Sequence, residues 1–151
     1  DVIPQAMVDV DESTRDLDGI HIPEKLKNGT VLIAEDSKTA QKHLTSIFEN
    51  ANIKTKIFNN GKKLVDYINA LDNPDEIPAI ITDIEMPEMS GFTVLQILRK
   101  NNTTSHLPII VNSSMSSDNN KREAEALGAS GFIDKTKSHN IIPIIIEAMQ
   151  N

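Results

Sequence analysis

The run Ile80-Ile81-Thr82-Asp83-Ile84-Glu85-Met86-Pro87-Glu88-Met89-Ser90-Gly91-Phe92 decides how this chain is read. A short apolar strand at residues 79–81 delivers one carboxylate, Asp83, to its carboxyl end. Pro87 and Gly91 then force a tight loop before a new amphipathic segment begins. In open α/β sheets, ligands bind outside the carboxyl ends of the strands, so an acid at that point is placed for chemistry more than for packing. The plainer alternative is a turn-former or a helix cap, the usual role of Asp after a strand.

On both sides of this run, strand and helix alternate, five pairs in all from Thr30 onward. Residues 30–34 are an apolar strand ending in Glu35-Asp36. Ser37 can cap the following helix, where Ala40, Leu44, Ile47, Phe48 and Ala51 recur at helical spacing. Residues 54–58 are a second strand, mixed enough in composition to be an edge. Asn60-Gly61 turns into a helix with Leu64, Val65, Ile68 and Leu71 on one face, and residues 72–78 are a polar loop. After the Asp83 loop, Phe92, Leu95 and Leu98 line the third helix. Residues 107–111 are the fourth strand, closing on Asn112-Ser113-Ser114. The fourth helix, residues 118–127 with Gly128 as its carboxyl cap, offers mostly Ala to the core and should be the least firmly packed. Residues 131–133 are the fifth strand, followed by Asp134-Lys135. The last helix, residues 140–150, carries more apolar surface than one buried stripe requires, which leaves open whether that face makes a dimer, meets an absent domain, binds a partner or belongs to the core. Pro143 is tolerated because it falls in the first turn.

The chain has 151 residues, enough for one domain with an appendage. Residues 1–29 hold acids and Pro without a sustained period, and are expected to be a linker or tail with a short ordered piece at residues 20–26. Because the chain begins at Asp1 and not at Met, a missing domain is expected on the amino side, while the last helix closes the carboxyl end. A net charge of −7 and only 3% aromatics argue against nucleic acid as a direct partner. No apolar run approaches the roughly 20 residues of a membrane span and no leader is visible, so the chain is expected to be cytoplasmic without membrane insertion. Zero Cys excludes disulfides and thiolate metal sites.

Regular alternation implies a doubly wound parallel sheet covered on both faces. Alternation alone does not fix the strand order, but the order 2-1-3-4-5 sets the first and third strands side by side, about 4.8 Å apart. Under that order Glu35, Asp36 and Asp83 converge, and Ser113 and Lys135 arrive from neighbouring strand ends. Crowded carboxylates must take up protons or recruit a cation. Oxygen ligands without His or Cys favour Mg²⁺. A divalent ion keeps Asp83 ionised and shields an incoming phosphoryl group, which makes the carboxylate usable as a nucleophile. Lys135 would neutralise a second phosphoryl oxygen, Ser113 would donate to a third, and the small Ser114 leaves room. Each residue alone also has an ordinary reading: Glu35-Asp36 as an acidic helix start, Ser113 as a cap, Lys135 as a solvated charge. Coincidence at four separate strand ends is much harder to sustain.

Glu35-Asp36, the Asp83 run with its Asp-x-x-Met-Pro-x-Met-x-Gly pattern, Ser113-Ser114 and Lys135 together resemble the signature of the receiver domain of bacterial response regulators, over residues 30–151. The resemblance implies the flavodoxin-like fold of order 2-1-3-4-5 and phosphorylation of Asp83 by a histidine kinase. It also implies Mg²⁺ held by Glu35, Asp36, Asp83 and the Glu85 carbonyl, with Ser113 and Phe132 at the switch positions. There are two departures: Ser113 replaces the commoner Thr, and Thr136 follows Lys135 where most receivers have Pro, which puts the usual cis peptide in doubt. Within the family, Glu35-Asp36-Ser37, the Asp83 run and Ser113-Ser114-Met115-Ser116 look most like the receiver of a CheV-type chemotaxis coupling protein. That resemblance implies an amino-terminal CheW-like domain, a CheA-like kinase as partner, and a place in chemoreceptor signalling complexes. The alternatives are a stand-alone or differently fused response regulator and, further off, a phosphohydrolase with an aspartyl-phosphate intermediate. A receiver is not an enzyme in the ordinary sense, since it acts only on its own phosphoryl group.

Overall fold

The computed structural model describes residues 20–151. Short runs of Ile, Val and Leu form the strands: β1 (Thr30–Ala34), β2 (Lys54–Phe58), β3 (Ile80–Thr82), β4 (Ile109–Ser113) and β5 (Gly131–Asp134). They make one parallel sheet in the order β2-β1-β3-β4-β5, so the expected 2-1-3-4-5 arrangement is the observed one. The helices are α1 (Glu24–Asn28), α2 (Lys38–Asn50), α3 (Gly61–Asn69), α4 (Gly91–Lys100), α5 (Asp118–Ala126) and α6 (Ile141–Met149). Side-chain caps start four of them: Ser37, Asn60, Ser90 and Ser117 each accept a backbone N–H three residues on. Gly128, at φ +102, follows the last turn of α5 in a conformation that a side chain disfavours.

The two-residue period of the strands divides the core between two faces. Val31, Ile33, Ile81 and Ile110 share one cluster with Leu44 and Phe48 of α2 and the Ile residues of α6. Leu32, Ala34, Ile80, Ile109 and Val111 share the other with apolar residues of α3 and α4, and with Ala124 of α5. Strand β2 is an edge strand, as is β5, and the burial of β2 alternates until Phe58. Ala124 is the buried residue of α5, which agrees with a lightly packed helix.

Several boundaries change. β3 starts and ends one residue later than expected, at Ile80–Thr82. β4 shifts from residues 107–111 to Ile109–Ser113, because Pro108 has no N–H for the ladder while Asn112 and Ser113 pair with Ile133 and Asp134. A 3-10 run, Lys135–Asn140, precedes α6 and shortens it, and the loop at residues 72–78 contains a 3-10 turn at Pro74–Glu76. The Ile-rich face of α6 is not open. Ile141, Ile142, Ile145, Ile146 and Ala148 are all buried, with Ile144 and Met149 half-buried at the margin.

The segment before β1 joins the same core cluster as α6. Ile22 and Leu26 belong to the same cluster as α6, and Leu26 is fully buried. Residues 1–19 of the expected linker lie outside the described residues, but residues 20–29 pack as part of the fold. Leu26→Ala should therefore lower the unfolding free energy by about 2–5 kcal/mol. Urea denaturation measures it, and a change below about 0.5 kcal/mol, typical of surface positions, would mean that α1 is not part of the core.

Candidate functional site

At the carboxyl end of β1, Glu35 is buried and Asp36 exposed, because the chain turns there to start α2. The Ser37 N–H donates to Glu35 Oε2 at 3.0 Å, and Gln41 Nε2 donates to the Glu35 carbonyl at 2.6 Å. The Glu35 carboxylate is thereby held by the cap of α2 and its backbone by the first turns of that helix. At the end of β3 the Asp83 N–H continues the sheet by donating to the Ala34 carbonyl at 3.1 Å. Its carboxylate is buried, with Oδ1 accepting the Ile84 N–H at 2.7 Å. Gly91 has a steric reason: a Cβ there would stand 2.0 Å from the Asp83 carbonyl oxygen. The loop between them includes Glu88 at φ 71, a conformation uncommon for residues other than Gly.

Lys135 joins the two acids. Its Nζ lies 2.9 Å from Glu35 Oε1 and 2.9 Å from Asp83 Oδ2. One carboxylate oxygen from each of Glu35, Asp36 and Asp83 lies within 4.8 Å of the others, and Lys135 pairs with two of the three acids. Burial pushes the Glu35 carboxyl above its ordinary value, against the lowering effects of the Ser37 N–H and Lys135; the neighbouring Asp83 adds to the rise. Burial works against the Lys135 ammonium, but its hydrogen bonds to Asp83 and Glu35 outweigh this and hold its pKa above the ordinary value. An all-oxygen cluster beside an exposed Asp36 suits a hard divalent cation that keeps part of its water, such as Mg²⁺. The Glu85 side chain is exposed and outside this cluster; its expected part concerns the backbone carbonyl alone.

Ser113 is the last residue of β4, not the loop residue the sequence suggested, and it is fully buried beside Asp134 of β5. Its Oγ accepts the Met115 N–H at 3.0 Å, which leaves the hydroxyl proton free to donate. Phe132 pairs with Val111 and is half-buried; Ser114 is exposed. The described residues contain no cis peptide bond, so Thr136 follows Lys135 in the trans form. The sequence reading passed over Asp134: it caps the 3-10 run, accepting Thr136 N–H at 2.8 Å and Thr136 Oγ1 at 2.7 Å on Oδ1, and the Ser116 hydroxyl on Oδ2. An Asp followed two residues later by Thr is the pattern of an Asx turn, and that was the available signal. Gln41 was also passed over, for it meets Glu35 through a helix turn that no motif marks.

Comparison with known proteins places this arrangement in a class. The chain belongs to the response regulator receiver domain family, whose sequence model matches residues 31–146. Its sequence is also similar to that of chemotaxis protein CheV2 of Helicobacter pylori, 39% identical over 145 residues, covering 94% of this chain and 45% of the relative. CheV1 of the same organism is 38% identical over 124 residues, covering 82% of this chain and 39% of the relative. The chain thus spans less than half the length of these relatives. Among solved structures, the receiver domain of Francisella response regulator 1452 superposes with a TM-score of 0.71 at 28% identity, covering 82% of this chain and 98% of that one. Among the described residues, no helix is long and apolar enough to cross a membrane.

The Ser116 and Thr136 hydrogen bonds hold the Asp134 carboxyl down to about 2, from an ordinary 3.8. A lowered acid contributes stability that is present above its unfolded value and is lost as pH falls through the folded one. The stability advantage of the native chain over Asp134→Asn should therefore shrink between about pH 4 and pH 2. Urea midpoints at stepped pH measure this, and a difference independent of pH would contradict it.

Proposed function

We propose that Asp83 accepts a phosphoryl group from the phosphohistidine of a partner kinase, and that the chain acts in this way as a switch in bacterial chemotaxis. The observation that supports this most is the state of the Asp83 carboxylate. It is buried, steadied on one oxygen by the Ile84 N–H and on the other by Lys135, and set among further acids. In the transfer an Asp83 oxygen bonds to phosphorus while the bond from phosphorus to the kinase imidazole nitrogen breaks. The product is an acyl phosphate; the imidazole leaves neutral when its other ring nitrogen is already protonated, and otherwise its freed nitrogen takes a proton from water. Lys135 balances charge on the phosphoryl oxygens, and the Ser113 proton is available to one of them. Glu35, Asp36, Asp83 and the Glu85 carbonyl would hold Mg²⁺, which when bound offsets repulsion between the carboxylates and the phosphoryl group. The half-buried Phe132 beside the lightly packed α5 suits a readout of that event.

The similarity to CheV2 and CheV1 of Helicobacter pylori supports a CheV-type coupling protein in the cytoplasm, with a CheW-like domain joined to this receiver. A CheA-like kinase at a chemoreceptor complex is then the phosphodonor. The sensor histidine kinase CheAY of the same organism, 29% identical over 118 residues, carries a related segment. Nucleic acid has no place in this scheme, and the chain turns over no phosphate but its own.

Incubation with acetyl phosphate and Mg²⁺, followed by intact mass, tests the central step: acetate leaves as the phosphoryl group moves to Asp83. One phosphoryl mass should be added to the native chain and none to Asp83→Asn. Equal addition to both would overturn the assignment of Asp83, and turnover of an external phosphomonoester would favour a phosphohydrolase.

A further inference from the structure

The geometry points to Asp134 as a positioning residue that aims Lys135 at Asp83 and ties the Lys135 loop to the loop that follows Ser113. This rests on the phosphoryl-transfer reading of Asp83. A Lys side chain is long and flexible, so its ammonium reaches a defined place only if the backbone beneath it is held. No cis peptide holds this loop, since every described peptide bond is trans. The backbone is fixed by side chains on both sides instead. Before Lys135, the Asp134 carboxylate accepts the Thr136 N–H at 2.8 Å and the Thr136 hydroxyl at 2.7 Å. The first of these bonds needs the N–H that a proline at position 136 would lack. Beyond Lys135, the buried Ser138 hydroxyl lies 2.9 Å from the Lys135 carbonyl and 3.0 Å from Asn112 Oδ1.

The remaining Asp134 oxygen accepts the hydroxyl of Ser116, three residues past Ser113. Ser113 and Asp134 are paired neighbours in the sheet, and the Ser113 Oγ in turn holds the Met115 N–H. One carboxylate therefore joins the segment that carries Lys135 to the loop that follows Ser113, and Lys135 and Ser113 are the side chains that would contact the phosphoryl oxygens. The low pKa of Asp134 keeps it an ionised acceptor across the physiological range. Asp134 touches neither Asp83 nor the incoming group; it acts through Lys135 and the Ser116 loop.

Rates of phosphoryl incorporation from acetyl phosphate at saturating Mg²⁺ test this in the native chain and in Asp134→Ala, Asp134→Asn, Lys135→Ala and the double variant Asp134→Ala/Lys135→Ala. Asp134→Ala should be slower by about tenfold, inside the roughly hundredfold that a 1 Å misplacement can produce. Asp134→Asn keeps the acceptor for Thr136 and should stay within about threefold of native. In the Lys135→Ala background the Asp134→Ala loss should shrink to what the Ser116 tie alone contributes, because there is no ammonium left to aim. An unchanged rate in Asp134→Ala, or the same loss in both backgrounds, would overturn the proposal. A second readout needs no phosphoryl chemistry: the ¹⁵N-labelled Lys135 ammonium, shielded by Glu35 and Asp83, should give a slowly exchanging signal that Asp134→Ala abolishes and Asp134→Asn keeps. If that holds while the native chain takes no phosphoryl group, the transfer reading falls and the positioning stands. If the signal survives Asp134→Ala, the positioning falls.

Discussion

The Lys135 ammonium between Glu35 and Asp83 is the contact on which the rest depends. Two carboxylates taken out of water beside each other repel, and an ammonium within hydrogen-bond reach of both offsets that repulsion. Lys135 supplies that ammonium, 2.9 Å from each. The three residues come from the ends of β1, β3 and β5, so they meet only if β1 lies beside β3 and the chain returns to the same edge after β5. The sheet order is thus a requirement of the site as much as a result of packing.

Around that contact the structure is firm on one side and loose on the other. Arg99 of α4 donates to the carbonyls of Ser105, Leu107 and Gly128 and to Ser130 Oγ, which pins the far end of α5 to the base of β4. At its near end α5 is attached through side chains: Ser117 caps it, Asn120 holds the Met115 carbonyl at 3.1 Å, and Ser116 reaches Asp134. Met115 there is the exposed large apolar residue among those described. A helix with one buried Ala, fixed at one end and attached by hydroxyls and an amide at the other, can shift with little loss of core. The strands beneath it cannot.

The sequence was legible where local chemistry and the fold agree. Apolar runs closed by acids marked β1, β3 and β5, and the acids converging from separate strand ends marked the functional edge. Legibility failed where a residue's role comes from a distant partner. The Ile residues of α6 look surplus until Ile22 and Leu26, too few to show a period, are found in the same cluster. β4 runs on to Ser113 because Asn112 and Ser113 have partners in β5, which no propensity encodes. Asp134 reads as a strand-end acid, and its bond to Ser116 appears only when that loop is brought across to it.

An acyl phosphate is reduced by borohydride to an alcohol, which turns the aspartate that carried the phosphoryl group into homoserine and marks it permanently. Peptide mapping of the chain after phosphorylation and reduction would locate that mark. Homoserine at position 83 alone is the expected result, since Asp83 is the acid held in place by Lys135 and the Ile84 N–H. Homoserine at position 36, where the carboxylate is exposed and reaches the same cluster, would contradict it; so would a phosphoryl mass added with no homoserine formed.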